Sequence, residues 1–168
     1  AALAGDSRTG AALAAQATTD GLPIERLITD VLAPVQRRVG EAWHRNACTV
    51  VDEHLATQVA YAAIEAAIGS LDLDADKPRL AIACAEGDWH SLPARFAAAR
   101  LAAMGWSSWV LGASAPAEHV VEFLATHDVT ALVITCTVAQ HATGAARLAE
   151  QAHSLGTPLA IGRNAITR

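Results

Sequence analysis

Two hydrophobic patterns divide the chain. In the first part, apolar residues recur every three or four positions, which is one face of an amphipathic helix. After residue 78, short apolar runs alternate with helix-like segments. Helices followed by strand–helix alternation predict two domains of different architecture, an α plus α/β chain. We expect a helical bundle at 1–70, a linker at 71–78 and a parallel-sheet domain at 79–168.

The first part predicts helices at 1–18, 24–44 and 50–69. The apolar face of the second helix contains Ile24, Leu27, Ile28, Val31, Leu32, Val35 and Val39. Pro34 interrupts this helix and is expected to bend it. Thr49 and Asp52 form a weak capping box at the start of the third helix. The short connection between these two helices predicts antiparallel neighbours.

The second part predicts strands at 80–85, 106–111, 129–136 and 158–161, with a helix in each interval. Strand, helix and strand joined by short links are typical of a doubly wound, Rossmann- or flavodoxin-like sheet. The loops that follow the strands then lie on one edge, where such sheets bind ligands. A domain of this type usually has a further helix and strand, so the sheet is expected to be cut short at Arg168.

Composition restricts the partners. The net charge of −5, with basic residues scattered singly, argues against a nucleic-acid surface. No apolar run reaches the length of a membrane span, and no signal peptide opens the chain. Cys48, Cys84 and Cys136 lie far apart without a CxxC pair, which favours reduced thiols in a cytoplasmic protein.

The ligand edge lacks the glycine-rich phosphate motifs and the nucleophile elbow, so nucleotide binding and hydrolase chemistry are not expected. It carries Asp88-Trp89-His90 directly after the first strand. An aspartate two residues before a histidine can orient an imidazole that ligates a metal. One ligand cannot hold a bare ion, but it can serve as the axial ligand of a metal in a macrocycle. The alternative is a surface histidine without a role.

The corner between the second and third helices collects a second group of candidates. Trp43 and His44 precede the corner by about one turn, and Glu53 and His54 follow it. Each residue alone is typical of a core aromatic or a solvated first turn. Together they indicate a ligand, because their desolvation requires a partner.

Asp88-Trp89-His90-Ser91-Leu92-Pro93 resembles the D-x-H-x-x-G motif of cobalamin-binding proteins, except that proline replaces the glycine. The resemblance implies that His90 is the lower cobalt ligand, with Asp88 and Trp89 beside it. It also implies a pocket for the nucleotide tail along Thr135-Cys136-Thr137 and Gly162-Arg163. Cys136 and Arg163 depart from the family pattern of a serine-containing segment and a glycine pair.

Trp43, nine residues, then Glu53-His54 resembles the W-x9-E-H motif of adenosylcobalamin-dependent photoreceptors related to light-sensing repressors. This resemblance implies that Trp43 and Glu53 cap the adenosyl group and that His44 ligates cobalt after illumination. The implied function is a light sensor, not a catalyst, in which breaking of the Co–C bond drives a conformational or oligomeric change. Some relatives also hold a bilin such as biliverdin, for which His141 is the candidate contact.

Other functions stay open at this point. A corrinoid carrier of a methyltransferase system, or the cobalamin domain of a mutase, fits Asp88-x-His90 equally well. A degenerate scaffold without a cofactor is the third hypothesis. The expected partners are cobalamin, a second copy of the chain, or an attached or separate output protein, with neither nucleic acid nor membrane.

Overall fold

A computed structural model describes residues 2–69, 71 and 79–163. Contacts divide the chain into two compact units, Ala1–Asp72 and Leu73–Arg168. The predicted linker at 71–78 lies outside the described residues except for Leu71. The predicted end of the sheet at Arg168 also lies outside them, since they stop at 163. Within the described part of the chain, no helix is both long and apolar enough to cross a membrane.

The first unit is helical. A 3-10 turn at Ala2–Ala4 precedes α1 (Ser7–Thr19), α2 (Ile24–Arg26), a π-helical segment (Leu27–Leu32), α3 (Ala33–His44) and α4 (Val50–Gly69). The predicted amphipathic face is confirmed for Ile24, Leu27, Ile28, Leu32 and Val39, which are buried, whereas Val31 is 43% exposed.

Pro34 changes the helix that it interrupts. It lies in the first turn of α3, directly after the π-helical segment. Proline has no N–H to donate to the carbonyl four residues earlier. Directly before it, the Ala33 N–H donates to the Ile28 carbonyl, five residues back, which is the π pattern. The sequence predicted a disturbance here but not a six-residue π segment.

The predicted capping box at the start of α4 is confirmed. The Asp52 carboxylate accepts from the Thr49 N–H at 2.8 Å, and the Thr49 hydroxyl oxygen accepts from the Asp52 N–H at 3.2 Å. Each side chain therefore satisfies a backbone donor of the other residue. The connection before it contains Asn46 with a φ of 55°, a left-handed conformation that asparagine tolerates.

The second unit is an α/β domain. Its elements are β1 (Arg79–Cys84), α5 (Leu92–Ala103), β2 (Ser108–Val110), α6 (Ala117–Thr126), β3 (Val129–Cys136), a 3-10 turn (Ala139–His141), α7 (Ala142–Ser154) and β4 (Leu159–Arg163). Among the described residues, all strand pairs are parallel, in the order β2-β1-β3-β4. The predicted four-stranded, doubly wound arrangement is therefore confirmed.

Alternate residues of the strands supply two cores. Ala81, Ala83, Leu132 and Ile134 pack with α6 and α7, whereas Ile82 and Cys84 pack with α5. The helices thus cover both faces of the sheet. β2 is shorter than predicted because the Trp106 N–H donates to the Leu101 carbonyl in the turn that closes α5.

Candidate cofactor site

The candidate site lies at the carboxyl ends of β1 and β3. The chain leaves β1 towards β2 on one side and later returns to β3 on the other side. The loops after these two strands therefore diverge at a topological switch point, the usual ligand site of an open α/β sheet. The loop after β1 carries Asp88 and His90, and the loop after β3 carries Thr137.

Asp88 organises these loops. Its side chain is fully buried, yet both carboxylate oxygens have hydrogen bonds. Oδ1 accepts from the backbone N–H of His90 at 3.0 Å and lies 2.8 Å from the His90 Nδ1. Oδ2 accepts from the backbone N–H of Thr137 at 2.5 Å. One carboxylate thus ties the first loop to the loop after β3.

The charge of Asp88 follows from these partners. Burial raises the pKa of the carboxyl, but the hydrogen bonds from the Thr137 and His90 backbones and the His90 ring outweigh it. The pKa of Asp88 is therefore lowered, and the group is an anion at neutral pH. An anionic acceptor places the imidazole proton on Nδ1 of His90, so the Nε2 lone pair is available for a metal.

His90 is suited to one kind of metal. Its side chain is 60% exposed, so a ligand can approach the ring. Among the described residues, no group of three or more His, Cys, Asp or Glu side chains could hold a metal ion. A single oriented imidazole fits a metal that brings its own equatorial ligands, since the protein then supplies only an axial position.

The other predicted site residues of the second unit differ in their exposure and in their contacts. Trp89 is 76% exposed, and the buried Thr137 hydroxyl has no hydrogen-bond partner in the described part of the chain, so it offers a polar contact for a ligand. Cys136 is buried on the α6–α7 face, where its thiol donates to the Val138 carbonyl at 3.3 Å. Gly162 lies within β4, paired with Thr135. The tail pocket proposed along these residues stays a prediction.

Several contacts of the loop were not foreseen. The Gly87 N–H donates to the Ser114 hydroxyl, and the Ser114 N–H donates to the Asp88 carbonyl. A Cβ on Gly87 would lie 2.8 Å from Nδ1 of His141, and one on Gly144 would lie 2.8 Å from the Glu86 carbonyl oxygen. The sequence offered one signal for this packing, the glycines themselves, because close backbone approaches favour glycine.

In the first unit, the predicted residues lie around the α3–α4 corner. The rings of Trp43 and His44 are 4.9 Å apart, and Trp43 is 44% exposed. Glu53 lies 3.7 Å from His54 Nε2 and accepts from the Thr57 hydroxyl at 2.9 Å. The exposed Trp43 ring next to His44 can contact an apolar part of a ligand, and the Glu53 carboxylate can contact a polar part.

A parallel sheet with an aspartate-oriented histidine at its switch point, preceded by a helical unit, is the arrangement that the resemblance to corrinoid-binding proteins implies. Two family models, both described as B12 binding domain, match residues 1–68 and 78–162. The chain belongs to this B12-binding family, and it binds cobalamin. The single oriented imidazole of His90 and the Thr137 hydroxyl, unpaired among the described residues, are compatible with such a cofactor.

Solved structures show the same fold. The monomethylamine corrinoid protein of Methanosarcina barkeri matches with a TM-score of 0.75 and 21% identity over 99% of this chain and 82% of that chain. A cobalamin-binding protein of Desulfitobacterium hafniense DCB-2 matches with a TM-score of 0.51 and 14% identity over 99% and 85% of the two chains. A search of curated proteins gave no match.

Proposed function

We propose that the chain holds a corrinoid on His90 and serves as a corrinoid carrier in a methyl-transfer system. The observation that supports cofactor attachment is the buried Asp88 carboxylate 2.8 Å from the His90 Nδ1. The observation that favours the carrier role is the likeness, over nearly the whole chain, to a protein whose name joins a corrinoid with a methylated amine. The sequence had favoured light sensing first and the carrier second; the comparisons reverse that order.

The residues have separate tasks in this proposal. When bound, cobalamin supplies a cobalt–carbon bond that can be made and broken. His90 offers Nε2 as the lower ligand, and Asp88 holds the Nδ1 proton and so sets the orientation of the ring. The Thr137 backbone N–H stabilises the anionic form of Asp88. The chain itself needs no residue that turns over a substrate, so a methyltransferase partner would supply the catalysis.

The attachment is tested with methylcobalamin, kept in the dark, and the His90→Ala variant. We expect the wild type to bind it with the absorption spectrum of an imidazole-ligated corrinoid. The variant should lose that spectrum and bind more weakly. His127→Ala is the control, since His127 lies at the end of α6 and stacks on Phe123. Unchanged spectrum and affinity in His90→Ala would exclude His90 as the lower ligand.

A light sensor is the second candidate, and the residues at the α3–α4 corner favour it. Trp43 and Glu53 have the spacing of the photoreceptor motif, and Trp43 exposes an aromatic surface that an adenosyl group would cover. In this hypothesis adenosylcobalamin is the native form, His44 becomes a cobalt ligand after illumination, and an output partner or a second copy of the chain reads the change. Biliverdin as a second chromophore belongs to the same hypothesis.

The two candidates differ in upper-ligand preference. A carrier should bind methylcobalamin and adenosylcobalamin with similar affinity, whereas a sensor should prefer the adenosyl form by about tenfold or more, because buried polar groups reject ligands that lack their partners. Trp43→Ala and Glu53→Ala should remove such a preference. The measurement is a pair of dissociation constants in the dark for each variant.

Illumination provides the second discrimination. For a sensor, light should change both the spectrum and the molar mass of the adenosylcobalamin complex, and His44→Ala should alter the final spectrum. For a carrier, the molar mass should not respond to light. A dark and illuminated absorption spectrum also detects a bilin, which absorbs at longer wavelengths than the corrinoid.

A further inference from the structure

The loop between β2 and α6 is hydrogen-bonded to the loop that carries Asp88 and His90. Ser114 makes two hydrogen bonds to adjacent residues of that loop. Its hydroxyl oxygen accepts from the Gly87 N–H at 3.0 Å, and its own N–H donates to the Asp88 carbonyl at 2.9 Å. Ser114 thus holds the backbone on both sides of the peptide bond that leads into Asp88.

Ser114 has an unfavourable backbone conformation for this task. Its φ is 49°, in the left-handed region that residues with a Cβ adopt at a cost. Glycine would adopt this conformation freely, and Gly112 nearby has a φ of 99°. Glycine would, however, leave the Gly87 N–H without its acceptor. A strained residue persists where the surrounding contacts require it.

The position of Asp88 depends on this arrangement. Its carboxylate has one partner in its own loop, His90, and one in the loop after β3, Thr137. The carboxylate can accept hydrogen bonds from both residues only if the backbone at 87–88 keeps its position relative to the sheet. The 2.8 Å approach of a Gly87 Cβ to His141 shows that the space on that side of the loop is already filled.

We infer that Ser114 is a positioning residue for the lower-ligand histidine. Its hydroxyl holds the Gly87 N–H, its backbone N–H holds the Asp88 carbonyl, and the Asp88 carboxylate orients the imidazole of His90. The inference rests on the proposed attachment of the corrinoid to His90. Ser114 does not touch the cofactor in this account. It acts through Asp88, and its loss should loosen the orientation of the imidazole while leaving the fold intact.

The test uses two substitutions with opposite effects on strain and hydrogen bonding. Ser114→Gly relieves the left-handed strain but removes the acceptor. Ser114→Thr keeps the hydroxyl but adds a β-branch to a left-handed residue, which raises the strain. If Ser114 has a purely structural role, Ser114→Thr should differ more from wild type than Ser114→Gly in every measurement. If Ser114 positions the histidine, Ser114→Gly should show the larger change at His90.

The first measurement is made on the full chain without cofactor, by NMR. In Ser114→Gly we expect the Gly87 amide to exchange with solvent about tenfold faster or more, because a donor has lost its acceptor. We also expect the His90 Nδ1–H resonance to broaden or shift. Ser114→Thr should retain the wild-type resonance despite a lower melting temperature. Ser154→Ala, which removes an exposed hydroxyl on the last turn of α7, is the control.

The second measurement is methylcobalamin affinity in the dark. We expect about tenfold weaker binding for Ser114→Gly and near wild-type binding for Ser114→Thr. A His90 Nδ1–H resonance that is unchanged in Ser114→Gly overturns the inference, whatever the affinities. If instead wild type does not bind methylcobalamin, the proposed function fails, and the NMR comparison still decides the role of Ser114.

Discussion

Asp88 is a buried anion, and its hydrogen bonds are what make its burial possible. Three donors from two residues, one of them 49 positions away, compensate the cost of its burial. The carboxylate in turn fixes the tautomer of His90, because it accepts the Nδ1 proton. A change at Asp88 should therefore affect both ligand binding and stability, and the two effects can be measured separately.

The first expected effect is on the cofactor. Asp88→Asn keeps the shape of the side chain but removes the charge that holds the Nδ1 proton. Loss of such a partner behind a metal-binding histidine typically costs about 10- to 100-fold in metal affinity. We expect a loss of this size for methylcobalamin, measured by absorption titration. Asp128→Asn, at an exposed position before β3, is the matched control and should bind like wild type.

The second expected effect is on acid stability. Because the pKa of Asp88 is lowered in the folded state, the unfolded chain binds a proton more readily. Its contribution to stability is complete above its unfolded pKa of about 4 and is lost as the pH falls through the folded value. The free energy of unfolding should fall on acidification below about pH 4, and less steeply in Asp88→Asn. Asp6, Asp30 and Asp52 also have lowered pKa values, so only the difference between the proteins reports on Asp88. Equal slopes for the two proteins would contradict the assignment.

Sequence spacing located this pair but not its surroundings. Asp88 and His90 are two residues apart, so their geometry follows from one loop. Their supports come from Thr137 and Ser114, whose contacts span 49 and 27 positions. Local patterns do not encode such contacts, because they depend on how three loops meet at the sheet edge. The Thr137 contact, moreover, uses a backbone N–H, which every residue except proline possesses.

At the scale of the elements, short-range chemistry explains the successes and long-range packing the errors. β3 lies at the predicted residues because its β-branched run is consistent with a buried strand. The capping box was predictable because both partners lie within one turn. Gly10, by contrast, lies within α1, where glycine lowers helix propensity. In the structure a Cβ at this position would lie 2.6 Å from Cγ1 of Val59 in α4. The glycine permits the close approach of two helices, which only the tertiary structure reveals.

Two glycines in the first unit allow this explanation to be tested. Gly10→Ala and Gly40→Ala gain the same helix propensity, roughly 0.5–1 kcal/mol. Nothing lies within 4 Å of a Cβ at Gly40, so that variant should be stabilised. At Gly10, the added methyl group meets a stiff, buried valine, and overpacking costs about 1–3 kcal/mol. We expect Gly10→Ala to be the less stable variant by about that amount in denaturant unfolding. Equal stabilities would mean that α1 does not pack closely against α4.

The whole chain contains two units with separate cores, and the candidate residues are distributed over both. His90, Asp88 and Thr137 belong to the second unit, whereas Trp43, His44, Glu53 and His54 belong to the first. The family assignment covers both parts, since separate B12-binding models match residues 1–68 and 78–162. The motif resemblances assign both groups of residues to one cofactor. Ligand binding should then be linked to the stability of each unit.

Hydrogen exchange with and without methylcobalamin in the dark tests this linkage. A ligand that binds only the folded state stabilises it by about 2.7 kcal/mol at a concentration 100 times its dissociation constant. If one cofactor engages both groups, slow amides in α4 and in β1 and β3 should all gain protection. Trp43→Ala should reduce the gain in α4 and leave most of the gain in the strands, because His90 still holds the corrinoid. Protection confined to the strands in wild type would remove Trp43, His44, Glu53 and His54 from the cofactor site, while the attachment at His90 would stand.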